Sequence, residues 1–186
     1  TRFSGKKAVE LLLNNGHDVT IATRGKTPHP FADRARHVIL DSQDPSHPGL
    51  EEGDEQGYAG LDNVWWTREE AQSVTLIDKF HHLTNHLYFT STMSVYTGIK
   101  QGYAEEDFDP FTYHIINSSK IVDYGEGKRQ AEAVLFNQNY FNVTAFRFPI
   151  VLDTDDYTQR LHFYVEKALQ NETIYFANPT ARVNFV

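Results

Sequence analysis

Residues 86–96 read HLYFTSTMSVY, residues 121–138 read IVDYGEGKRQAEAVLFNQ, and residues 142–149 read NVTAFRFP. The first and third stretches are rich in β-branched and aromatic side chains, and Pro149 closes the third, so both read as strands. The middle stretch reads as a helix in spite of Gly125 and Gly127, which together forfeit roughly 2 kcal/mol of helix preference against alanine. Something non-local must offset that loss. Tyr124 and Lys128 lie four positions apart and share one helix face, so a phenol and an ammonium point into one site. Strand, helix and strand in succession predict a parallel sheet with crossover helices.

The same alternation extends in both directions. Upstream, LDNVWW (61–66) reads as a buried strand. Thr67 caps the helix that follows, with Glu70 at capping-box spacing, and this helix runs to about Phe80. Farther back, HDVTIATRG (17–25) is a strand and turn, and RHVILD (36–41) is a strand closing at Asp41. The chain opens in a helical pattern with Val9, Leu12 and Leu13 on one face and Gly16 at its stop. Residues 42–60, with Pro45 and Pro48 among acids and glycines, are the least ordered in pattern. Downstream, TQRLHFYVEKALQNE (158–172) is an amphipathic helix with Leu161, Val165, Ala168 and Leu169 facing inward. The expectation is an α/β protein: a Rossmann-like doubly wound parallel sheet with helices on both faces. It forms a single domain over residues 1–186, in which residues from about 150 begin a substrate-binding part. The opening TRFSGKKAVE and the closing ARVNFV further predict a fragment, with a first strand and most of the substrate-binding part absent.

Composition narrows the function. A chain of 186 residues holds one sizeable core. A net charge of -8 argues against unaided binding to nucleic acid or anionic membrane and favours a small-molecule partner. No apolar run approaches the roughly 18 residues of a membrane span, and the start lacks a signal-peptide layout, so a cytoplasmic protein is expected. The absence of cysteine excludes disulfides, thiolate zinc sites and cysteine nucleophiles. None of the nine histidines forms HExxH, and adjacent His81 and His82 diverge, so no metal is expected.

In doubly wound sheets ligands bind beyond the carboxyl ends of the strands. Arg24 follows one strand, Asp41 another, Asn63 lies in a third, Thr92 and Ser94 follow a fourth, and Gly5 opens the first helix. Tyr124 suits acid/base work at such an edge. A free phenol titrates near 10, so holding it near 7 requires about 4 kcal/mol. One ammonium about 4 Å away supplies about that much at an effective dielectric of about 20. A hydroxyl from Thr92, Ser91 or Ser94 would bind the substrate oxygen.

The segments TRFSG, YFTSTMSVYTG, YGEGK and FRFP, in this order and spacing, resemble the extended short-chain dehydrogenase/reductase family, particularly its nucleoside-diphosphate-sugar epimerase and dehydratase-like members. The resemblance implies an NAD(P)-dependent enzyme in which a proton moves through a Tyr-x-x-x-Lys pair with an upstream Ser or Thr while nicotinamide moves a hydride. It makes Tyr124 the acid/base, Lys128 the group that acidifies it and holds the nicotinamide ribose, and Thr92 the hydroxyl, with Ser91 as the fallback. Thr1, Arg2, Phe3 and Gly5 resemble the tail of a glycine-rich pyrophosphate loop at a helix N-terminus. Asp41 resembles the adenine-contacting aspartate, and Asn63 and Pro149 join the implied cofactor contacts. Thr23 stands where NAD-selective relatives carry an acid, and Arg24 and Lys26 follow it, so NADP(H) is favoured over NAD(H).

For substrate, the resemblance implies a sugar nucleotide or a related carbonyl or alcohol, with Ser94 and Arg182 in contact. Arg182 in ARVNFV stands one position off the family's RDxxxV-type arginine. The segment from Thr97 to Asp123, with Glu105, Glu106, Asp107 and Asp109, is acidic and would line a poor entrance for a dianionic nucleotide, or is simply a solvated face, the usual fate of a charge run. Trp65 and Trp66 point to opposite sides of a strand and read as core. Competing readings are a non-catalytic nucleotide-sensing or RNA-associated protein, since the opening also resembles chloroplast stem-loop-binding relatives, and a silent partner in a homodimer.

Overall fold

The computed structural model describes residues 4–26, 28, 30–41, 63–66, 70–98, 100, 102–116, 123–154, 156–175, 178, 180 and 182–186. They fall into two compact units, residues 19–148 and residues 1–18 with 149–186.

The larger unit carries strands β1 (Thr20–Thr23), β2 (Arg36–Ile39), β3 (Asn63–Trp66), β4 (His86–Thr92) and β5 (Asn142–Phe148). Among the described residues β1 pairs with β2 in one ladder, and β3, β4 and β5 form another in that order, every pairing parallel. These ladders match the two arms of a doubly wound sheet on either side of its switch point. Helix α2 (Glu70–Phe80) connects β3 to β4, and α3 (Tyr124–Phe136) lies between β4 and β5. Parallel neighbours require such crossovers.

Alternation along β4 decides which face is packed. Leu87, Phe89 and Ser91 are buried, while His86, Tyr88, Thr90 and Thr92 on the other face are half-buried. Leu87 and Phe89 form one core with Leu76 and Phe80 of α2, Ala131 and Leu135 of α3, Val38 and Leu40 at β2, and Phe141. On the opposite face Tyr88 stacks on Phe146, and Phe146 on Phe148, at centroid distances of 6.2 and 5.8 Å.

The smaller unit holds α1 (Ser4–Asn14) and α4 (Arg160–Leu169). Helix α1 ends at Gly16, whose φ of 80° suits a left-handed cap, with His17 N bonding back to Leu12 O at 3.1 Å. Lys7 pairs with Asp153 at 2.5 Å, and Ile150 bridges Phe185. Helix α4 lies within the expected stretch 158–172 but is shorter, and its apolar side does not face inward: Leu161, Val165 and Leu169 are 51%, 45% and 79% exposed. A helical period marks a face as apolar without specifying what covers it, and no described residue buries this one. No helix among the described residues is long and apolar enough to cross a membrane.

Candidate active site

The site is assembled where β4 ends and α3 begins. Strand β4 runs through Thr92 into a short 3-10 turn, Met93–Val95, which Thr92 caps by accepting the Ser94 amide at 3.2 Å. Thr92 and Ser94 hydroxyls lie 3.3 Å apart. Helix α3 starts at Tyr124 with Asp123 as its cap, the Asp123 carboxylate accepting the Glu126 amide at 2.7 Å.

Gly125 explains the break in helix preference. A Cβ at this position would stand 2.5 Å from the Ser94 carbonyl oxygen, inside any tolerable contact. Without one, the first turn of α3, which bears Tyr124, lies directly against the 3-10 turn that follows Thr92. The cost in helix preference supports a close backbone approach at the site.

Tyr124 and Lys128 differ sharply in exposure. Tyr124 is 55% exposed, whereas Lys128 is 3% exposed. The Lys128 ammonium lies 5.9 Å from the Tyr124 ring centroid and 4.8 Å from that of Phe89, and donates to the Thr90 carbonyl at 2.8 Å. An ammonium so buried loses much of its hydration, so its field acts through low dielectric on what lies beside it. Among the described residues, Thr90 Oγ1 is the buried side-chain polar atom without a hydrogen-bond partner.

Two arginine-centred networks hold α3, and the sequence reading missed both. In the first, Arg129 donates to Glu126 and to the Tyr113 hydroxyl at 2.9 and 3.1 Å, and to the Ser94 carbonyl at 3.2 Å. Tyr113 donates to Glu126 at 2.7 Å, and Gln130 donates to Glu126 at 2.8 Å while receiving the Ile116 amide at 2.8 Å. Burial works against the Glu126 charge, but the bonds from Gln130, Tyr113 and Arg129 outweigh it and hold the carboxyl below its usual range. Burial, and then the bond to Glu126, push the Tyr113 phenol up.

In the second network Glu132, fully buried, takes the hydroxyl of Ser91 and the guanidinium of Arg147, whose Nη2 reaches Oε2 at 2.7 Å. Arg147 also donates to the Tyr96 hydroxyl at 3.1 Å and to the carbonyls of Glu105 and Phe108 at 2.8 and 3.0 Å. The Tyr96 and Phe108 rings flank it, at 5.2 and 5.0 Å. Ser91 is thus committed to Glu132, which leaves Thr92 as the hydroxyl of this pair at the strand exit. Both charges stand inside apolar runs, AEAVL and FRF, and opposite charges in two such runs were the available signal.

The remaining expected residues are distributed as follows. Thr23 ends β1, its hydroxyl 2.8 Å from His37 Nε2 and accepting the Gly25 amide at 3.2 Å. Arg24 and Lys26 are exposed beside it, and Asp41 follows β2. Asn63 is not at the carboxyl edge: it begins β3 opposite His86, the first residue of β4, whereas Thr92 is the last. Six residues of strand put roughly 20 Å between those ends. Gly5 lies in the first turn of α1, and Pro149 and Arg182 belong to the same smaller unit. Thr1, Arg2, Phe3 and Thr67, the stretch 42–60, and the side chains of Asn63, Trp65 and Trp66 lie outside the described residues.

The acidic segment is only partly a solvated face. Asp107 binds Lys100 and the Ala104 amide, which hold its carboxyl below the usual range. His82 and His86 are four residues apart, but His86 Nε2 meets Thr144 Oγ1 at 2.9 Å, and no group of three candidate metal ligands occurs among the described residues.

No protein-family model and no curated protein sequence matches the chain. Solved structures do. The UDP-glucuronic acid 4-epimerase from Bacillus cereus, in complex with UDP-glucuronic acid and NAD, superposes with a TM-score of 0.70 at 15% identity, covering 99% of this chain and 66% of that one. WbmG from Bordetella bronchiseptica, in complex with NAD, gives 0.67 at 15% identity over 92% of this chain and 57% of that one. Pal from Bacillus thuringiensis gives 0.69 at 16% identity over 91% and 61%. The chain therefore spans about three fifths of the length of these structures. At these identities the likeness shows a Rossmann-like fold.

Proposed function

We propose that the chain is the dinucleotide-binding part of an NAD(P)-dependent epimerase/dehydratase-like oxidoreductase acting on a sugar nucleotide or related carbonyl or alcohol. One observation carries the reading. The missing Cβ of Gly125 lets the first turn of α3 abut the Ser94 carbonyl at the exit of β4, and that turn bears an exposed phenol with a buried ammonium 5.9 Å from its ring centroid.

The residues suit a nicotinamide dinucleotide. Lys128 offers a cation and Thr90 an unspent buried hydroxyl, donors of the kind ribose hydroxyls require. Thr23, Arg24 and Lys26 at the exit of β1 would hold the adenosine ribose, and their lack of a carboxylate favours a 2'-phosphate and hence NADP(H). Asp41 would contact adenine, and Gly5 with residues 1–3 the pyrophosphate. Pro149 would border the nicotinamide, and residues from about 150, with Arg182, would begin the substrate-binding part. Bound there, nicotinamide supplies the hydride exchange. Tyr124 then takes a proton from the substrate hydroxyl, or returns it to the carbonyl oxygen, with Lys128 favouring the phenolate. Thr92 donates to that same oxygen and fixes its direction, and Ser94 contacts the substrate beside it.

Tyr124→Phe tests the reading. Turnover of nicotinamide-dependent substrates should fall by 10²-fold or more, the scale of a lost general acid/base, while the dinucleotide dissociation constant by calorimetry stays within about twofold. Retained turnover rejects the assignment.

A further inference from the structure

Four residues after Lys128, on the same face of α3, stands Glu132, a fully buried carboxylate. The i,i+4 spacing makes these two neighbours of opposite charge. Their partners on β4 are adjacent as well, Lys128 bonding the Thr90 carbonyl and Glu132 the Ser91 hydroxyl. Left to itself, this carboxylate would draw on the ammonium whose field is needed at Tyr124. It is instead claimed by Arg147 from β5, through Nε to both carboxylate oxygens at 3.1 Å and Nη2 to Oε2 at 2.7 Å. Arg147 cannot drift away, because Tyr96, Glu105 and Phe108 hold its remaining donors and two rings flank it.

We propose that Arg147 is a positioning residue for the proton-transfer site: by committing the Glu132 carboxylate to itself, it reserves the Lys128 charge for Tyr124. This rests on the assignment of Tyr124 and Lys128 made above. Among the described residues, the other charges near the pair are committed elsewhere or shared. Asp123 caps α3 and lies 3.5 Å from Arg129, Glu126 is bound by Arg129, Tyr113 and Gln130, and Arg129 also donates to Ser94 and Val95 carbonyls. Strand β4 and the 3-10 turn present hydroxyls and Tyr96 rather than charges. Glu132 is therefore the anion whose allegiance Arg147 decides.

The test is a titration of Tyr124 itself in the protein without added cofactor, by carbon NMR with label at tyrosine Cζ. Ten tyrosines are present, and Tyr124→Phe assigns the signal. Arg147→Met should move the Tyr124 titration upward by about one pH unit, a tenfold loss of phenolate at fixed pH. Adding Glu132→Gln to Arg147→Met should return it to the unaltered position, which mere structural damage would not do. Where Arg147→Met does not fold, Arg147→Lys serves. Its single ammonium cannot span both oxygens, so the shift keeps its direction at smaller size, and no shift overturns the proposal. A displaced titration that Arg147→Met leaves alone, or that the double variant fails to restore, overturns this proposal only. An ordinary titration of Tyr124 in the unaltered protein overturns the assignment of the base and this proposal with it.

Discussion

Gly125→Ala separates helix preference from site geometry, because the two make opposite predictions. By preference alone the substitution should stabilise α3 by about 1 kcal/mol, with a small further gain from stiffening the unfolded chain. The structure opposes this. The added Cβ would meet the Ser94 carbonyl oxygen at 2.5 Å and Arg129 Nη1 and Asp123 Oδ1 at 3.3 Å each. The nearest obstacle is backbone, which does not rotate aside, and restoring ordinary contact at 3.4 Å requires a displacement of roughly 0.9 Å. Overpacking of this kind costs about 1–3 kcal/mol, so the net change is a destabilisation of about 0–2 kcal/mol, read as a lower urea midpoint. The larger effect falls on chemistry. A shift of about 1 Å at a reacting group costs on the order of 10²-fold in rate, so nicotinamide-dependent turnover should fall by that order even where stability barely changes. A Gly125→Ala protein that is more stable and equally active would refute the close approach of α3 to Ser94, and with it the argument that this approach matters to the site.

Two further predictions test the supports of the site. Since Glu126 is ionised more readily folded than unfolded, it contributes stability above the ordinary glutamate range that disappears as pH falls through its lower folded value. The urea midpoint should drop on acidification below about pH 5, and Glu126→Gln should flatten that dependence; an equally steep fall in the variant would assign it to other groups. Gly25→Ala should destabilise by about 1 kcal/mol or more, because Gly25 holds φ at 68° and a Cβ would meet Ile39 Cδ1 at 2.6 Å; an unchanged urea midpoint would show that the turn after β1 relaxes freely.

The fold was legible because it is written in local pattern. Runs such as TIAT and HLYFTST state strands by composition, and YGEGKRQAEAVLF states a helix once Gly125 is understood as a contact. What local pattern does not carry is where a strand stops and what lies across from it. Asn63 looked like a residue of the ligand edge because LDNVWW has no internal mark of its length or register; pairing with His86 sets it at the other end. The apolar stripe of α4 is real in sequence, but periodicity names no partner. The pair Glu132 and Arg147 is fifteen residues apart and on different elements, so no helical or strand period relates them, and only their misfit with apolar neighbours announces them.

The two arginine networks also show how the segment between β4 and α3 is held. Arg129 and Arg147 approach it from different positions, one from the helix and one from β5, and the acceptors they use within it are largely main-chain carbonyls: Ser94 and Val95 for the first, Glu105 and Phe108 for the second. Lys128 binds a main-chain carbonyl just before that segment, at Thr90 of β4. Charged donors bind such carbonyls at about 1.5–3 kcal/mol each, and a carbonyl is offered by any residue. Side chains of this segment can therefore change while its backbone stays anchored to the helix that bears Tyr124. The anchors themselves are not exchangeable in this way, because a lysine in place of Arg147 offers one point of contact where the guanidinium reaches Glu132, Tyr96 and two carbonyls at once. On the function proposed above, specificity and proton transfer would occupy one stretch of chain without competing for the same atoms: side chains would be left to the first, and backbone oxygens and buried cations would secure the second.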